Sequence, residues 1–250
     1  MFKKTYDSEN YQSAFDIGEN LTHRGESYYF GQGRECDFFK AERYFLKAVE
    51  YYEKAASSND GQAYYYLGLI QYFGHCGKKN IPQAVEYFKK SITFGNEYAM
   101  HRLAGIYLDR EATPVSGEEI VKLLEQTDDW DIIAPLYLYG NFVEKNVMLA
   151  AKYFQKSADK GDIESAWQLA EIYHRGIDIP KDEDKAQFYY KKVFKKYQSM
   201  LPTNNAEIAS RLWNMYASGL GVEVDEIKAE EFKKKADLLT AYQYDIDETL

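Results

Sequence analysis

The sequence has few of the features that mark disulfide-rich, nucleic-acid-binding or membrane proteins. Two cysteines in 250 residues are too few for a disulfide framework. The formal net charge of −9, from 31 basic and 40 acidic residues, provides no basic excess for a nucleic-acid surface. No apolar stretch is long enough to span a bilayer, and no apolar run follows the first residues as in a secretory signal. The sequence therefore predicts a cytoplasmic protein that binds neither nucleic acid nor membrane.

Motifs of catalysis are also missing. The four histidines are accompanied by no nucleophile motif, glycine-rich phosphate loop or H-E-x-x-H string. His174 lies three residues after Glu171, so the two could form an acid–base pair on one helix face, although surface hydrogen bonding is a simpler interpretation. We therefore predict no enzymatic activity, no cofactor and no small-molecule substrate.

A metal site is one alternative that the sequence leaves open. Cys36, His75 and Cys76 belong to corresponding segments of two successive repeats, and Asp37 could supply a fourth ligand. The spacing lacks a C-x-x-C pair, so two free thiols are the simpler interpretation. We predict no metal, and a disulfide between the cysteines is the other alternative.

Proline is scarce and aromatic residues are abundant, which favours a helix-rich chain with a large core. There are only five prolines, against 24 tyrosines and 14 phenylalanines. Hydrophobic residues make up 45% of the chain, so disorder throughout is excluded.

The most informative feature is a phrase that recurs. Five glycines are each followed ten positions later by an alanine, and four residues before each alanine stands a side chain favoured at helix N-caps. The glycine can adopt the positive φ that ends a helix, and the cap begins the next one. The glycine, cap and alanine of each copy are Gly31, Asp37 and Ala41; Gly74, Asn80 and Ala84; Gly140, Asn146 and Ala150; Gly176, Asp182 and Ala186; and Gly219, Asp225 and Ala229.

Each copy is predicted to form a helical hairpin of a helix A and a helix B. Before the glycines, a leucine or isoleucine, a small residue and a tyrosine each recur at a fixed position in four of the five copies and cover one face of helix A, as at Leu169, Ala170 and Tyr173. The exceptions are Arg24, Trp213 and Gln71. The small residue and the alanine of helix B allow close packing, and stacked hairpins bury what a single one cannot. The predicted repeats are 14–60, 61–97, 98–127, 128–162, 163–203 and 204–240, with terminal extensions at 1–12 and 241–250. The third repeat has lost its glycine and is degenerate, but Ser116 and Glu119 form their own capping box.

This pattern resembles the Sel1-like repeat family, relatives of the tetratricopeptide repeats. The match is clearest in the last copy, where Gly219, Gly221, Asp225, Lys228 and Ala229 fit the loop and helix B of the family. The resemblance implies an all-α, right-handed αα-superhelix, a single solenoid domain that binds other proteins as a scaffold or adaptor. It brings no catalytic residue with it.

By resemblance to tetratricopeptide arrays, the A helices should line a concave groove. Aromatic residues dominate its first half and acidic residues its second, so we predict that it binds a basic, partly apolar segment of a partner protein. The alternative is that many of these rings pack between neighbouring A helices. The predicted groove residues are Glu26, Tyr29, Phe30, Tyr65, Leu69, Tyr72, Phe73, Tyr98, His101, Asp131, Tyr139, Glu164, Trp167, Glu171, His174 and Arg175.

Two other functions are kept as alternatives. An acidic arch could be a cytosolic immunity protein that neutralises a toxin by direct binding. Some cysteine-rich relatives have been credited with hydrolase activity, but this chain lacks their repeated cysteine pairs. The sequence leaves the partner's identity and the oligomeric state open.

Overall fold

The chain folds into helices that begin and end near the residues indicated by the repeated phrase. The computed structural model describes residues 8–33 and 35–247, and within these it contains twelve α-helices and no strand. The helices are α1 (Ser8–Tyr29), α2 (Phe38–Ala56), α3 (Gly61–Phe73), α4 (Ile81–Thr93), α5 (Glu97–Leu108), α6 (Gly117–Gln126), α7 (Trp130–Tyr139), α8 (Val147–Asp159), α9 (Ile163–Arg175), α10 (Glu183–Ser199), α11 (Ala206–Ser218) and α12 (Glu226–Asp247).

Successive helices form antiparallel pairs, in which the odd-numbered helix is helix A and the even-numbered one is helix B. The predicted all-α repeat fold is thus confirmed. The described helices divide into two compact units of three hairpins. Unit 1 ends at Asp128 and contains α1–α6, and unit 2 begins at Asp129 and contains α7–α12. Helices α1 and α12 also extend into the segments 1–12 and 241–250 that we assigned to terminal extensions.

The local signals of the sequence act as predicted. The side chains of Asp37, Asn80, Asn146, Asp182 and Asp225 each accept a hydrogen bond from the backbone N–H three residues later, at 3.0 to 3.2 Å. These bonds satisfy donors that the first helical turn leaves unpaired.

The ends of the A helices differ in two hairpins. Four A helices end at a glycine with φ between 64° and 73°, for example Gly74 after α3. In the first repeat α1 ends two residues before Gly31, which has a φ of 67°. In the degenerate third repeat α5 likewise ends two residues before Arg110, which takes a φ of 57° although this conformation is less favourable for arginine than for glycine.

Close contact between helices A and B explains the small residues. A Cβ atom added to Gly68 of α3 would lie 2.6 Å from the ring of Phe88 on α4, and one added to Gly25 would lie 2.9 Å from Phe45. Ala84, on α4, is fully buried. The rings fill the space that these small residues leave, so the phrase encodes packing.

The recurring lysine before the alanine also has a structural role. Lys40 forms an ion pair of 2.9 Å with its cap Asp37, and its ammonium lies 5.4 Å from the centre of the Tyr28 ring. The Tyr28 ring stacks on Tyr44 of α2, with centroids 5.7 Å apart and planes at 10°. The same Asp–Lys–Tyr arrangement recurs around Lys185 and Lys228. These contacts hold the start of helix B against the end of helix A.

Candidate functional site

All sixteen predicted groove residues are at least partly exposed; fifteen lie on the A helices, and Phe30 lies one residue beyond the end of α1. None of them is buried, although the opposite faces of these helices form the core. Nine are in unit 1 and seven are in unit 2. We describe the two sets separately.

Unit 1 carries an exposed set of rings that we call the aromatic surface: Tyr29 and Phe30 at the end of α1, Tyr72 and Phe73 at the end of α3, and Tyr98 on α5. The exposed fractions of Phe30, Phe73 and Tyr98 are 61%, 46% and 70%. Tyr29 contacts Phe30 with centroids 5.1 Å apart, and Tyr72 contacts Phe73 at 5.0 Å. The aromatic surface leaves several large rings in water.

His75, which the groove prediction missed, connects the ends of α1 and α3. Its ring lies 5.5 Å from the rings of both Tyr29 and Phe73. It also stacks on buried Phe45, at 4.2 Å and 15°. Burial lowers the pKa of His75, which favours the neutral ring in this apolar position. A histidine in a loop carries no sequence signal for such stacking.

Part of the predicted set packs between helices, as the alternative interpretation expected. Tyr65 is half-buried, and its ring lies 5.9 Å from Phe88 and 6.1 Å from Tyr98. Leu69 and Tyr72 are half-buried as well. These side chains both support neighbouring helices and border the exposed rings.

The polar members of the unit 1 set lie at other points of the same helices. Glu26, on α1, lies 3.5 Å from His23. His101, on α5, is exposed.

The metal alternative finds no support in the described part of the chain. No group of three His, Cys, Asp or Glu residues there is arranged to hold a metal ion. His75 is occupied by the ring stack described above. Cys36 is exposed and Cys76 is half-buried, and both are free thiols. Burial, with a smaller contribution from Glu42, raises the pKa of Cys76 to about 11.

Unit 2 contains a cleft of about 440 Å³ beside α9. Four predicted groove residues line it: Tyr139, Trp167, Glu171 and Arg175. Seven other residues complete its wall: Leu138, Lys145, Val147, Gln168, Ile172, Ile177 and Asp178. Several of these residues lie in the loops between helices, whereas the prediction considered only positions on the A helices.

A second, smaller cleft of about 210 Å³ shares Tyr139 and Gln168 with the first. Asp131 of α7 and Glu164 of α9 also line it. Six of the seven unit 2 candidates therefore line one or both of these two adjoining clefts.

The acidic side chains of α9 are already paired inside unit 2. Glu171 forms a 2.6 Å ion pair with Arg175 and accepts a 2.6 Å hydrogen bond from the hydroxyl of Tyr190. Glu164 forms a 2.7 Å ion pair with Arg211 of α11. These carboxylates are thus less available to a partner than the sequence suggested.

Arg211 binds Glu164 and covers Trp167. Its guanidinium lies 5.0 Å from the centre of the Trp167 ring and also pairs with Glu207 at 2.7 Å. Desolvation raises the pKa of Glu164, but hydrogen bonds from Arg211 and Gln168 outweigh it, so the net shift is downward. Arg211 was not among the predicted site residues, because its partners are distant in sequence.

His174 makes a surface contact with a carboxylate, in line with the simpler interpretation, but its partner is not Glu171. His174 Nδ1 lies 3.1 Å from a carboxylate oxygen of Glu183, at the start of α10, and not beside Glu171. Residues three positions apart lie on one face of a helix, so Glu171 and His174 could have paired. The carboxylate of Glu183, on α10, takes that place instead. His174 therefore faces α10 and is absent from the walls of the two clefts.

The A helices differ from the B helices in charge. In the described residues the A helices contain no lysine; their basic residues are Arg24, Arg102, Arg175 and Arg211. Arg102 lies about 6 Å from the ring centres of Tyr72 and Phe73. Lysines are concentrated on the B helices, where α10 alone carries Lys185, Lys191, Lys192, Lys195 and Lys196. In the part of the chain that the structure describes, no helix is sufficiently long and apolar for a membrane span.

The chain matches a model of the Sel1 repeat in five segments that together exceed half its length: 21–60, 61–93, 134–162, 163–192 and 208–236. The degenerate repeat at 98–127 is not among them. An uncharacterised protein of Neisseria meningitidis serogroup B is 29% identical over 148 residues, which are 57% of this chain and 31% of that protein. The chain thus spans less than a third of the length of this curated relative.

Two solved structures share the fold. A Sel1 repeat protein from Oxalobacter formigenes is 25% identical, with a TM-score of 0.58 and coverage of 88% of this chain and 87% of that one. A protective antigen present in uropathogenic Escherichia coli strains, which displays an SLR fold, is 19% identical. Its TM-score is 0.63, and the match covers 93% of this chain and 56% of that one.

Proposed function

This chain belongs to the Sel1 repeat family, and we propose that its A helices bind a basic, partly apolar segment of another protein. Sel1 repeat proteins are protein-interaction modules, and the family is typically a non-catalytic scaffold. The observation that carries the proposal is the aromatic surface of unit 1, where Phe30, Phe73 and Tyr98 are each exposed by 46% or more.

Exposed rings on one side of three helices favour a binding surface. Large apolar patches are uncommon on proteins that have no partner, because water is a poor solvent for them. Rings held by their neighbours, as Phe73 is by Tyr72 and His75, lose little entropy on binding. An apolar side chain of the partner would be buried among them.

The preference for a basic segment follows from two properties of the A helices. They contain no lysine and at most one arginine each, so little positive charge repels a cation there. Their rings already accept arginines of the chain itself, Arg102 over Tyr72 and Phe73 and Arg211 over Trp167, so the same faces suit a guanidinium of a partner. Because Glu164 and Glu171 are paired internally, we assign less of the selectivity to them and more to the rings, Glu26 and Asp131.

The experiment begins with affinity purification on the immobilised chain and identification of the retained proteins by mass spectrometry. Binding of the retained protein is then compared between the wild type and a Phe30→Ala/Phe73→Ala/Tyr98→Ala variant. The matched control is Phe188→Ala, which removes an equally exposed ring (56%) from helix B of unit 2. Circular dichroism monitors helical content in all three proteins.

We expect the triple variant to bind at least about a hundredfold more weakly, which corresponds to about 3 kcal/mol, while the control binds like the wild type. The wild-type affinity should fall as salt is raised if the segment is basic. Equal binding by the triple variant, with helicity retained, would overturn the proposal. A salt-independent interaction with an acidic segment would overturn the basic preference.

Toxin neutralisation stays an alternative prediction, and the same purification separates it from an adaptor role. A single basic toxin, held tightly and in a salt-sensitive manner, would indicate an immunity protein. Several weaker partners would indicate an adaptor.

A further inference from the structure

Helix B of the first hairpin carries a basic pocket that the A-helix proposal does not use. Lys40, Arg43 and Lys47 of α2 line it together with the rings of Tyr28 and Tyr44. Its volume is about 280 Å³. Among the described residues no carboxylate lines the pocket, in a chain whose net charge is −9.

Two of the three cations are not neutralised by any residue that the structure describes. Lys40 is paired with Asp37. Arg43 and Lys47 are exposed, and among the residues the structure describes neither has an ion pair or a hydrogen bond through its side chain. Like charges four residues apart on a helix repel each other and mildly destabilise it, as Arg43 and Lys47 should do in α2. No ion pair with a described residue offsets this repulsion.

The repeat itself does not require Arg43. Relative to the buried alanine of helix B, Arg43 corresponds to Phe188 in α10 and to Glu231 in α12. Lys47, by contrast, occupies a position that is lysine in all five copies, and its equivalent Lys192 is paired with Asp159 at 3.5 Å. The pocket is therefore distinguished by Arg43, beside a Lys47 whose charge no described side chain neutralises.

We propose that the pocket of Lys40, Arg43 and Lys47 binds a compact oxyanion, a phosphate or carboxylate group. A guanidinium presents parallel N–H donors that match such a group, and the lysine ammoniums add charge without imposing geometry. The stacked Tyr28 and Tyr44 form a firm wall on one side. This site lies on helix B and does not rest on the proposed function of the A helices.

The test is titration of the isotope-labelled chain with inorganic phosphate at low, constant ionic strength, followed by amide chemical shifts. We expect saturable shifts confined to α2 and the end of α1. An Arg43→Gln/Lys47→Gln variant should raise the dissociation constant at least about tenfold, since it removes both unpaired charges. Lys192→Gln, which removes the paired equivalent of Lys47, should bind phosphate like the wild type.

Two further measurements identify the ligand group and test the role of the guanidinium. Titration with acetate separates the sources: saturation by phosphate alone assigns the site to phosphate groups, and saturation by both assigns it to oxyanions in general. Arg43→Lys keeps the charge but loses the parallel donors, and we expect it to weaken binding while leaving the helical signal unchanged. Shifts that never saturate, or an equal loss in Lys192→Gln and the double variant, would show nonspecific screening and overturn the proposal.

Discussion

Units 1 and 2 are built from the same helix pairs but present different chemistry on their A helices. In unit 1, α3 has no charged residue, and its exposed rings adjoin those of α1 through His75. In unit 2, the carboxylates of α9 are paired with Arg175 and Arg211 around a cleft. The core positions hardly differ: Leu67 and Leu169 are both fully buried. Packing thus restricts the inward positions to a few residue types, while the outward positions are free to diverge.

The largest loss of stability should come from substitutions in the core, whose packing the two units share. Phe88 in unit 1 and Tyr190 in unit 2 occupy equivalent positions on helix B, and both are completely buried. We expect Phe88→Ala and Tyr190→Ala each to cost about 3–5 kcal/mol, because each leaves a cavity beside a small residue of helix A.

Urea denaturation can assign this loss to a unit. Trp130, Trp167 and Trp213, the only three tryptophans, all belong to unit 2, so their fluorescence reports on that unit while circular dichroism reports on both. Tyr190→Ala should shift the fluorescence transition. A cost below about 1 kcal/mol at either position would mean that the two cores are not equivalent.

The next largest loss of stability should come from disturbing the close contact between α3 and α4 in unit 1. Alanine normally stabilises a helix by up to about 1 kcal/mol relative to glycine. At Gly68 the new Cβ would lie 2.6 Å from the Phe88 ring, so we expect Gly68→Ala to destabilise by about 1–3 kcal/mol.

Gly105 of α5 provides the matched control, since no heavy atom of a neighbouring group lies within 4 Å of an added Cβ there. Gly105→Ala should stabilise by about 0.5–1 kcal/mol, measured by thermal or urea unfolding. If both substitutions stabilise the chain, the small residue of the phrase does not serve helix packing.

A smaller loss of stability should follow when the ion pairs of Arg211 in unit 2 are removed. Arg211 is only 18% exposed, whereas its partners Glu164 and Glu207 are 52% and 68% exposed. We expect Arg211→Met to cost about 1 kcal/mol at pH 7, because exposed partners remain hydrated.

The same pair predicts a pH dependence with a definite sign. The pKa of Glu164 is lowered in the folded chain, so its stabilising effect is present above the unfolded pKa and is lost as pH falls through the folded pKa. Acid titration of stability, read by tryptophan fluorescence, should be less steep in Arg211→Met than in the wild type. An identical titration would show that Arg211 does not stabilise the ionised form of Glu164.

The smallest effect concerns thiol chemistry within unit 1, where both cysteines lie. Cys36 is exposed, whereas burial raises the pKa of Cys76 to about 11 and leaves little thiolate at neutral pH. A thiol reagent at pH 7.5 should modify Cys36 at least about tenfold faster than Cys76, as mass spectrometry of peptides would measure. Equal rates would mean that Cys76 is more accessible than its packing against the core indicates.

How far the sequence could predict the site differs between the two units. In unit 1 the prediction from helix-A positions selected Phe73 and Tyr98, which are both exposed, because the face of a helix follows from its period. It also selected Phe30, which is exposed one residue beyond the end of α1. It could not select His75, whose position depends on how a loop folds over Phe45. In unit 2 it selected Trp167 and Tyr139 but overestimated the available acidity, since Arg211 is contributed by another hairpin.

The positions of the caps, the helix-ending glycines and the hairpin order followed from the sequence alone, since they depend on hydrogen bonds and side-chain spacing within a few residues. Only the tertiary structure decided which surface charges remain available, because an ion pair such as Glu164 with Arg211 or His174 with Glu183 depends on distances between separate helices. Local periodicity determines which face of a helix is exposed, but a charge is neutralised by whichever opposite charge the packing brings within reach.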